Sequence, residues 1–182
     1  MIRNVYLIGH SCGAHILSHV FLCLPTPLPN TFISSHDPST PLRVRLLEVL
    51  RKTRAAAFLD GIYDLDALID EYPTYSFFVE AAFGKDKSRW AEACVLYEDE
   101  GKVRHLVPAV LDAARHARIV VAHATEDELL TPVQGRLWVD HLCRVGLEQN
   151  VVNDVETLVG THDGCLHHVG LGELLYKLMT AA

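Results

Sequence analysis

The chain has 182 residues, enough for one domain with a real core, and 49% hydrophobic against 21% charged residues describe a globular protein rather than a disordered one. A net charge of −7 argues against an electrostatic nucleic-acid partner, and no apolar run approaches the length of a membrane span. Five scattered cysteines without a C-x-x-C pair suggest neither a disulfide framework nor a zinc site, and Met1-Ile2-Arg3-Asn4 leads directly into an apolar run rather than forming a signal peptide, so free thiols in a cytoplasmic protein are expected.

In chain order, residues 4–8 read as a buried parallel strand, because the run is continuously apolar and not alternating. Residues 14–23 read as a helix ended by Pro25. Residues 24–41 hold five prolines and several Ser, Thr and Asn, the composition of a long surface loop. Residues 42–53 are an amphipathic helix, with Leu46, Leu47, Val49 and Leu50 among basic residues. Residues 55–59 are a second buried strand, broken by Asp60-Gly61. Residues 62–84 are rich in aromatics, predict short helices interrupted at Pro73, and are expected to pack in the core. Residues 86–94 and 103–115 read as helices around an acidic loop at 98–101. Residues 118–123 are a third buried strand. Thr131-Pro132 then supplies an N-cap and a proline at the first helical position for a helix that Gly146 stops. Residues 151–159 are a fourth strand, and residues 165–180 a closing helix. This β-α alternation predicts a single α/β domain over residues 1–182, a mostly parallel sheet with helices on both faces and a site at the carboxyl ends of the strands.

The stretch that carries chemistry is Val5-Tyr6-Leu7-Ile8-Gly9-His10-Ser11-Cys12-Gly13, a G-x-S-x-G between a strand and a helix. Such a turn holds its serine in a strained conformation, and the glycines two residues away are expected to be required by the close approach of the chain. Ser11 would be the nucleophile. Cys12 would contribute only its backbone amide, pointed where an oxyanion forms. His10 and His15 flank the turn, and His15 reads as helix packing. Two later loops follow strands at their carboxyl ends. One contains Glu126, Asp127 and Glu128, any of which can serve as an acid. The other contains His162 and Asp163. The order serine, acid, histidine is that of the hydrolases with a nucleophile elbow. His162 would take the Ser11 proton as general base and return it to the leaving group, while the acid holds its tautomer. Asp163 reads as a brace for the histidine loop. His167-His168 are adjacent and would diverge on a helix, so no metal site is expected.

Gly9-His10-Ser11-Cys12-Gly13-Ala14-His15 resembles the elbow of the kynurenine formamidases, a branch of the α/β-hydrolase superfamily. Leu59-Asp60-Gly61-Ile62-Tyr63-Asp64-Leu65, with Tyr72-Pro73 and Ala82-Phe83-Gly84 behind it, and Asp127-Glu128-Leu129-Leu130 with Pro132 and Gln134 resemble the same branch. The resemblance selects Asp127 as the acid and implies a catalytic Ser11, Asp127 and His162. It also implies hydrolysis of N-formyl-L-kynurenine to kynurenine and formate, with no metal or organic cofactor. Gly61, Ile62 and Tyr63, with the aromatic segment after them, would supply substrate-binding wall for an aryl ketone. One departure matters: the family's H-G-G-x-W-like segment, which completes the oxyanion hole, has no counterpart here. The expectation is therefore a partial α/β-hydrolase fold that starts at the elbow strand, lacks the family's first strands, and leaves the elbow strand at an edge. A small-molecule carboxylesterase of the same fold and an inactive hydrolase fragment are the alternatives. The expected partner is a small-molecule substrate, without nucleic acid or membrane, and a homodimer is the assembly considered.

Overall fold

The computed structural model describes residues 3–22, 39–97 and 112–180. Four strands, β1 (Val5–His10), β2 (Thr53–Leu59), β3 (Arg118–Ala124) and β4 (Val151–Leu158), form one sheet in the order β1-β2-β3-β4. Every pairing is parallel, so the sheet is wholly parallel and the architecture is α/β. Parallel neighbours need crossovers, and helices supply them: α1 (Cys12–Leu22) and α2 (Ser39–Lys52) lie between β1 and β2 in sequence, and α3 (Leu65–Glu71), α4 (Ser76–Phe83) and α5 (Lys87–Glu92) between β2 and β3. The helix α6 (Val133–Arg144) follows β3, and α7 (Val169–Thr180) follows β4.

Side chains on a strand alternate between faces, and both faces of β2 and β3 are apolar. Ala56, Phe58, Ile119 and Val121 face one cluster, built with Ala14, Leu17, Phe21 and Leu22 of α1, Leu50 of α2 and Trp138, Val139 and Leu142 of α6. Ala55, Ala57, Leu59, Val120, Ala122 and Ala124 face the other, where α7 lays down Leu171, Leu174, Leu175 and Leu178. The positions on α1 and α7 recur at the spacing of three and four that makes an apolar helix stripe. A third cluster joins α3, α4 and α5 through Leu65, Leu68, Val79 and Trp90.

The outer strand departs from the sequence expectation. Leu7 packs on the α1 side, but Tyr6 and Ile8 are exposed, Ile8 by 53%. They pair with Ala55 and Ala57 on the α7 face, past the part of it that α7 covers. The continuous apolar run is thus buried on one side only. Among the described residues β1 pairs with β2 alone, so it is an edge strand, as expected.

Other boundaries shift for local reasons. Residues 23–38 lie outside the described residues, as do the acidic loop at 98–101 and most of the helix expected over 103–115. Helix α2 begins at Ser39, and Pro41 is tolerated in its first turn because the amides there lack intrahelical partners. The N-cap of α6 is Pro132 rather than Thr131, whose Oγ1 donates to Glu71 Oε2 at 2.9 Å and accepts the Val133 amide at 3.4 Å. The closing helix is two pieces: a 3₁₀ turn over Gly164–His167, then α7, separated by His168 in an extended conformation. The His168 Nδ1 accepts the Gly170 amide at 3.1 Å, which starts the second piece afresh. Among the described residues no helix is long and apolar enough to cross a membrane. Cys12, Cys94, Cys143 and Cys165 are free thiols.

Trp138 anchors the larger cluster, fully buried, stacked on Tyr63 at 5.2 Å and tilted against Phe58 at 5.3 Å. Trp138→Ala is expected to lower stability by about 3–5 kcal/mol in urea unfolding. Phe77→Ala, at a side chain 73% exposed, is expected to stay within about 0.5 kcal/mol in the same assay.

Candidate active site

The strand register decides which residues meet. His10 pairs with Leu59, Leu59 with Ala122, and Ala124 with Leu158, so all four strands end at one edge of the sheet. The residues just beyond those ends are Ser11, Asp60, the loop carrying Asp127 and the loop carrying His162. They converge because the sheet is parallel.

Ser11 is the turn between β1 and α1, with φ of 54°, the left-handed region that a side chain rarely adopts. Its amide donates to the Leu59 carbonyl at 2.9 Å, which ties the turn to the end of β2. Its own carbonyl accepts from Ala14 and His15 as α1 begins. Cys12 is the first residue of that helix, and a first-turn amide has no carbonyl behind it within the helix. The sequence treated the two elbow glycines alike, and the structure separates them. A Cβ on Gly9 would stand 2.6 Å from the Gly13 carbonyl oxygen and 2.8 Å from Ala14, both backbone. A Cβ on Gly13 would meet nothing within 4 Å among the described residues, so space does not require that glycine.

Three acids competed in the sequence, and their contacts differ. Asp127 Oδ2 lies 2.8 Å from His162 Nδ1, while its Oδ1 accepts the amides of Leu129 and Leu130 at 2.8 and 2.9 Å. Both oxygens of its carboxylate are therefore held in place. Glu128 instead accepts the His162 backbone amide at 3.0 Å and fixes the histidine loop rather than the ring. Burial raises the Asp127 carboxyl, but the bond from His162 and the two loop amides outweigh it, and the net shift is below the ordinary carboxylate value. Asp163 makes no side-chain cap on the following turn, and a carboxylate oxygen of it lies within 4.8 Å of ring nitrogens of His10 and His162. His162 is buried and carries the bond to Asp127 on Nδ1, which leaves Nε2 as the nitrogen free of that acid.

Ser11 and His162 line one cavity of about 310 Å³ together with Ile62, Tyr75, Phe77, Phe78, Leu129 and Leu130. Of the three residues expected to form a substrate wall, only Ile62 is in this lining. Tyr63 is 1% exposed and belongs to the core against Trp138, and Gly61 is packed between the Tyr63 hydroxyl and Ala14. The aromatic segment that follows lines the cavity too: Phe77 and Phe78 of α4 pack edge to face, and Tyr75, just before α4, donates its hydroxyl to the Leu129 carbonyl at 3.1 Å. Loop 61–64 is held from behind. Gln134 Oε1 accepts the amides of Tyr63 and Asp64 at 2.8 and 2.9 Å, and its Nε2 donates to the Asp64 carbonyl. His15 does more than pack, since its Nδ1 lies 3.0 Å from the Ile62 carbonyl. Burial lowers its pKa, and burial with the neighbouring His15 lowers that of His19 to about 4.

A group of residues behind Asp127 had no sign in the sequence beyond being polar at strand ends. His123, 2% exposed, stands with Nδ1 3.3 Å from Asp60 Oδ1 and Nε2 3.5 Å from Asp127 Oδ2. It occupies a break in the β3–β4 ladder, where Ala122 pairs with Asp154 but Ala124 with Leu158. The groups His10, Asp60, Cys165 and Asp60, His123, Asp127 each have three ligand-type atoms within 4.8 Å of one another. Of these atoms the Cys165 thiol donates to Asp60, while His10 Nε2 bonds the His162 carbonyl at 3.0 Å and His123 Nε2 the Leu130 carbonyl at 3.1 Å.

Gly9→Ala is expected to disrupt the elbow, with loss of folded protein or of function, whereas Gly13→Ala is expected to leave the thermal midpoint within a few degrees. Circular dichroism melts of the pair check this. Because the folded pKa of Asp127 lies below its unfolded value, its contribution to stability is present above that unfolded value and is lost as pH falls through the folded one. The stability cost of Asp127→Asn in urea unfolding is therefore expected in full at neutral pH and to shrink below pH of about 4.

No protein-family model matches the chain. It is similar to curated proteins named kynurenine formamidase from three organisms. The protein of Meyerozyma guilliermondii is 33% identical over 141 residues, 78% of this chain and 46% of that protein. That of Eremothecium gossypii is 33% identical over 131 residues, 71% of this chain and 46% of its own length. That of Debaryomyces hansenii is 31% identical over 166 residues, 80% of this chain and 57% of its own length. The chain thus spans about half the length of the curated relatives it matches, and the similarity supports the kynurenine formamidase family.

Proposed function

We propose that the chain carries the catalytic machinery of a serine hydrolase of the α/β-hydrolase type, cleaving the formamide of N-formyl-L-kynurenine. The observation that carries this reading is the 2.8 Å contact between His162 Nδ1 and Asp127 in a wall shared with the strained Ser11. Similarity to proteins named kynurenine formamidase supports the substrate.

In this reading His162 Nε2 accepts the Ser11 hydroxyl proton as Oγ attacks the formyl carbon. The Cys12 amide, at the positive end of α1, stabilises the oxyanion. The C–N bond then breaks, and His162 gives its proton to the departing aryl amine. Water enters, loses a proton to His162 and attacks the formyl-enzyme. Formate leaves, and the proton returns to Ser11 Oγ. Asp127 keeps the imidazole in the tautomer that leaves Nε2 unprotonated and stabilises its charged form. The aromatic wall from Tyr75 to Phe78 is suited to an aryl ketone.

One observation favours a second reading. Among the described residues, those that line the cavity include no Arg or Lys to hold a substrate carboxylate. A neutral acyl ester fits such a wall equally well, so a small-molecule carboxylesterase is the alternative.

Hydrolysis of N-formyl-L-kynurenine and of phenyl acetate by this chain, followed by absorbance, separates the two by the ratio of their kcat/KM values. Ser11→Ala is expected to lower kcat by at least about 10³-fold on the preferred substrate, and Asp127→Asn by about 10³–10⁴-fold. Turnover that survives in Ser11→Ala would overturn the serine mechanism. Wild-type protein that neither turns over nor takes a covalent fluorophosphonate label on Ser11 would overturn the hydrolase reading for this chain.

A further inference from the structure

We propose that Asp60 is a positioning residue for the hydrolase site, its buried carboxylate closing a ring of polar side chains that joins the elbow, the acid loop and the histidine loop. The inference rests on the serine hydrolase reading above and goes beyond it, since Asp60 touches neither Ser11 nor the cavity.

The ring can be followed atom by atom. His162 Nδ1 meets Asp127 Oδ2 at 2.8 Å, and the same oxygen stands 3.5 Å from His123 Nε2, whose hydrogen bond goes to the Leu130 carbonyl at 3.1 Å. His123 Nδ1 faces Asp60 Oδ1 at 3.3 Å. Asp60 Oδ2 accepts the Cys165 thiol at 3.2 Å and stands 3.6 Å from His10 Nε2. Cys165 Sγ and His10 Nε2 in turn reach the backbone carbonyl of His162, at 3.2 and 3.0 Å. The path therefore leaves His162 by its ring and returns to it by its carbonyl. Asp60 Oδ1 also accepts the Ala124 amide at 2.6 Å, at the point where β3 gives way to the acid loop.

Each arm restrains a different part of the proposed triad. The Ala124 bond sets where the Asp127 loop begins. The Cys165 and His10 arms set the height of the His162 backbone over the sheet. His10 is also the residue before Ser11, with its ring 4.7 Å from that of His162. One fully buried side chain thus fixes the relative positions of three loops that no regular ladder connects. Displacements of about 1 Å between reacting groups can cost about 10²-fold in rate, so a shared anchor has a large lever.

The placement is costly to the fold, which argues that it is kept for another reason. Asp60 has φ of 46° and is 0% exposed. Burial raises its carboxyl above the ordinary value, and the Ala124 amide, the Cys165 thiol and His123 offset that only in part, with Asp127 adding to it. His10, Tyr63 and the groups just named are the titratable side chains that face it. A carboxyl raised in this way contributes stability that is lost as pH rises from its unfolded value through its folded one.

Asp60→Asn is the informative variant, because asparagine tolerates positive φ as aspartate does and still offers an oxygen to Ala124. Its kcat per Ser11 site, counted by fluorophosphonate titration, is expected to fall about ten- to hundredfold with KM little changed. Its thermal midpoint at neutral pH is expected to stay level or rise. The downfield proton NMR signal of the His162–Asp127 hydrogen bond is expected to shift or broaden, while in Ser11→Ala it stays in place without turnover. An unchanged signal with unchanged kcat would overturn the proposal, and so would a midpoint that falls in step with kcat, the mark of a merely structural role. Should Asp60→Asn fail to fold, Cys165→Ser, which keeps a donor, and Cys165→Ala, which removes it, test the same arm: kcat should be retained in the first and reduced in the second, and equal kcat in both would overturn the proposal. The NMR comparison reads the ring even if the wild-type chain hydrolyses neither substrate, so failure of the hydrolase reading and failure of the Asp60 assignment remain distinguishable.

Discussion

Burial of β2 and β3 on both faces is the constraint from which the site follows. Ala55, Ala57 and Leu59 press against α7 while Ala56 and Phe58 press against α1 and α6, so these strands have no solvated face on which to carry polar side chains. Polar chemistry is displaced to the strand ends. Because every strand runs the same way and the register aligns His10, Leu59, Ala122 and Leu158 closely, the ends that follow each strand open at one edge. The row of small alanines in β2 lets helices approach both faces, and the close approach of α1 is what makes a Cβ at Gly9 collide with the backbone of Gly13 and Ala14.

At that edge, restraint is divided between backbone and buried side chains. The left-handed backbone at Ser11 is held by its amide on Leu59 and by the start of α1, and the one at Asp60 by its amide on Ala122 at 3.0 Å. Two consecutive strand ends thus hold strained residues side by side. Strain of this kind persists only where the surroundings over-determine it, and it collects at functional sites. Asp127, His123 and Asp60 then form an inward series of polar groups with almost no exposure, in contrast to the apolar aromatic wall that faces the cavity. A water-poor surrounding strengthens each of these contacts and penalises any that is broken.

The relation to the kynurenine formamidases concerns about half the length of those proteins. Among the described residues β1 is an apolar strand covered on one face and paired on one side, with Tyr6 and Ile8 exposed.

Much of this was legible in the sequence, for reasons that are local. Continuous apolar runs at β2 and β3 signal two-sided burial, the stripe of leucines in α7 signals an amphipathic helix, and G-x-S-x-G between a strand and a helix signals a sharp turn with an outward serine. The choice among Glu126, Asp127 and Glu128 was not local. Three neighbouring acids have the same composition and nearly the same spacing to His162, and only the loop's fold, pinned by the Leu129 and Leu130 amides, turns Asp127 toward the ring and Glu128 toward the backbone. The core position of Tyr63 and the ring through Asp60, His123 and Cys165 were hidden for the same reason. Periodicity along the chain reports which residues prefer to leave water. Contacts between residues 60, 123 and 165 depend on a register shared by strands far apart in sequence, and that is set only when the sheet is assembled.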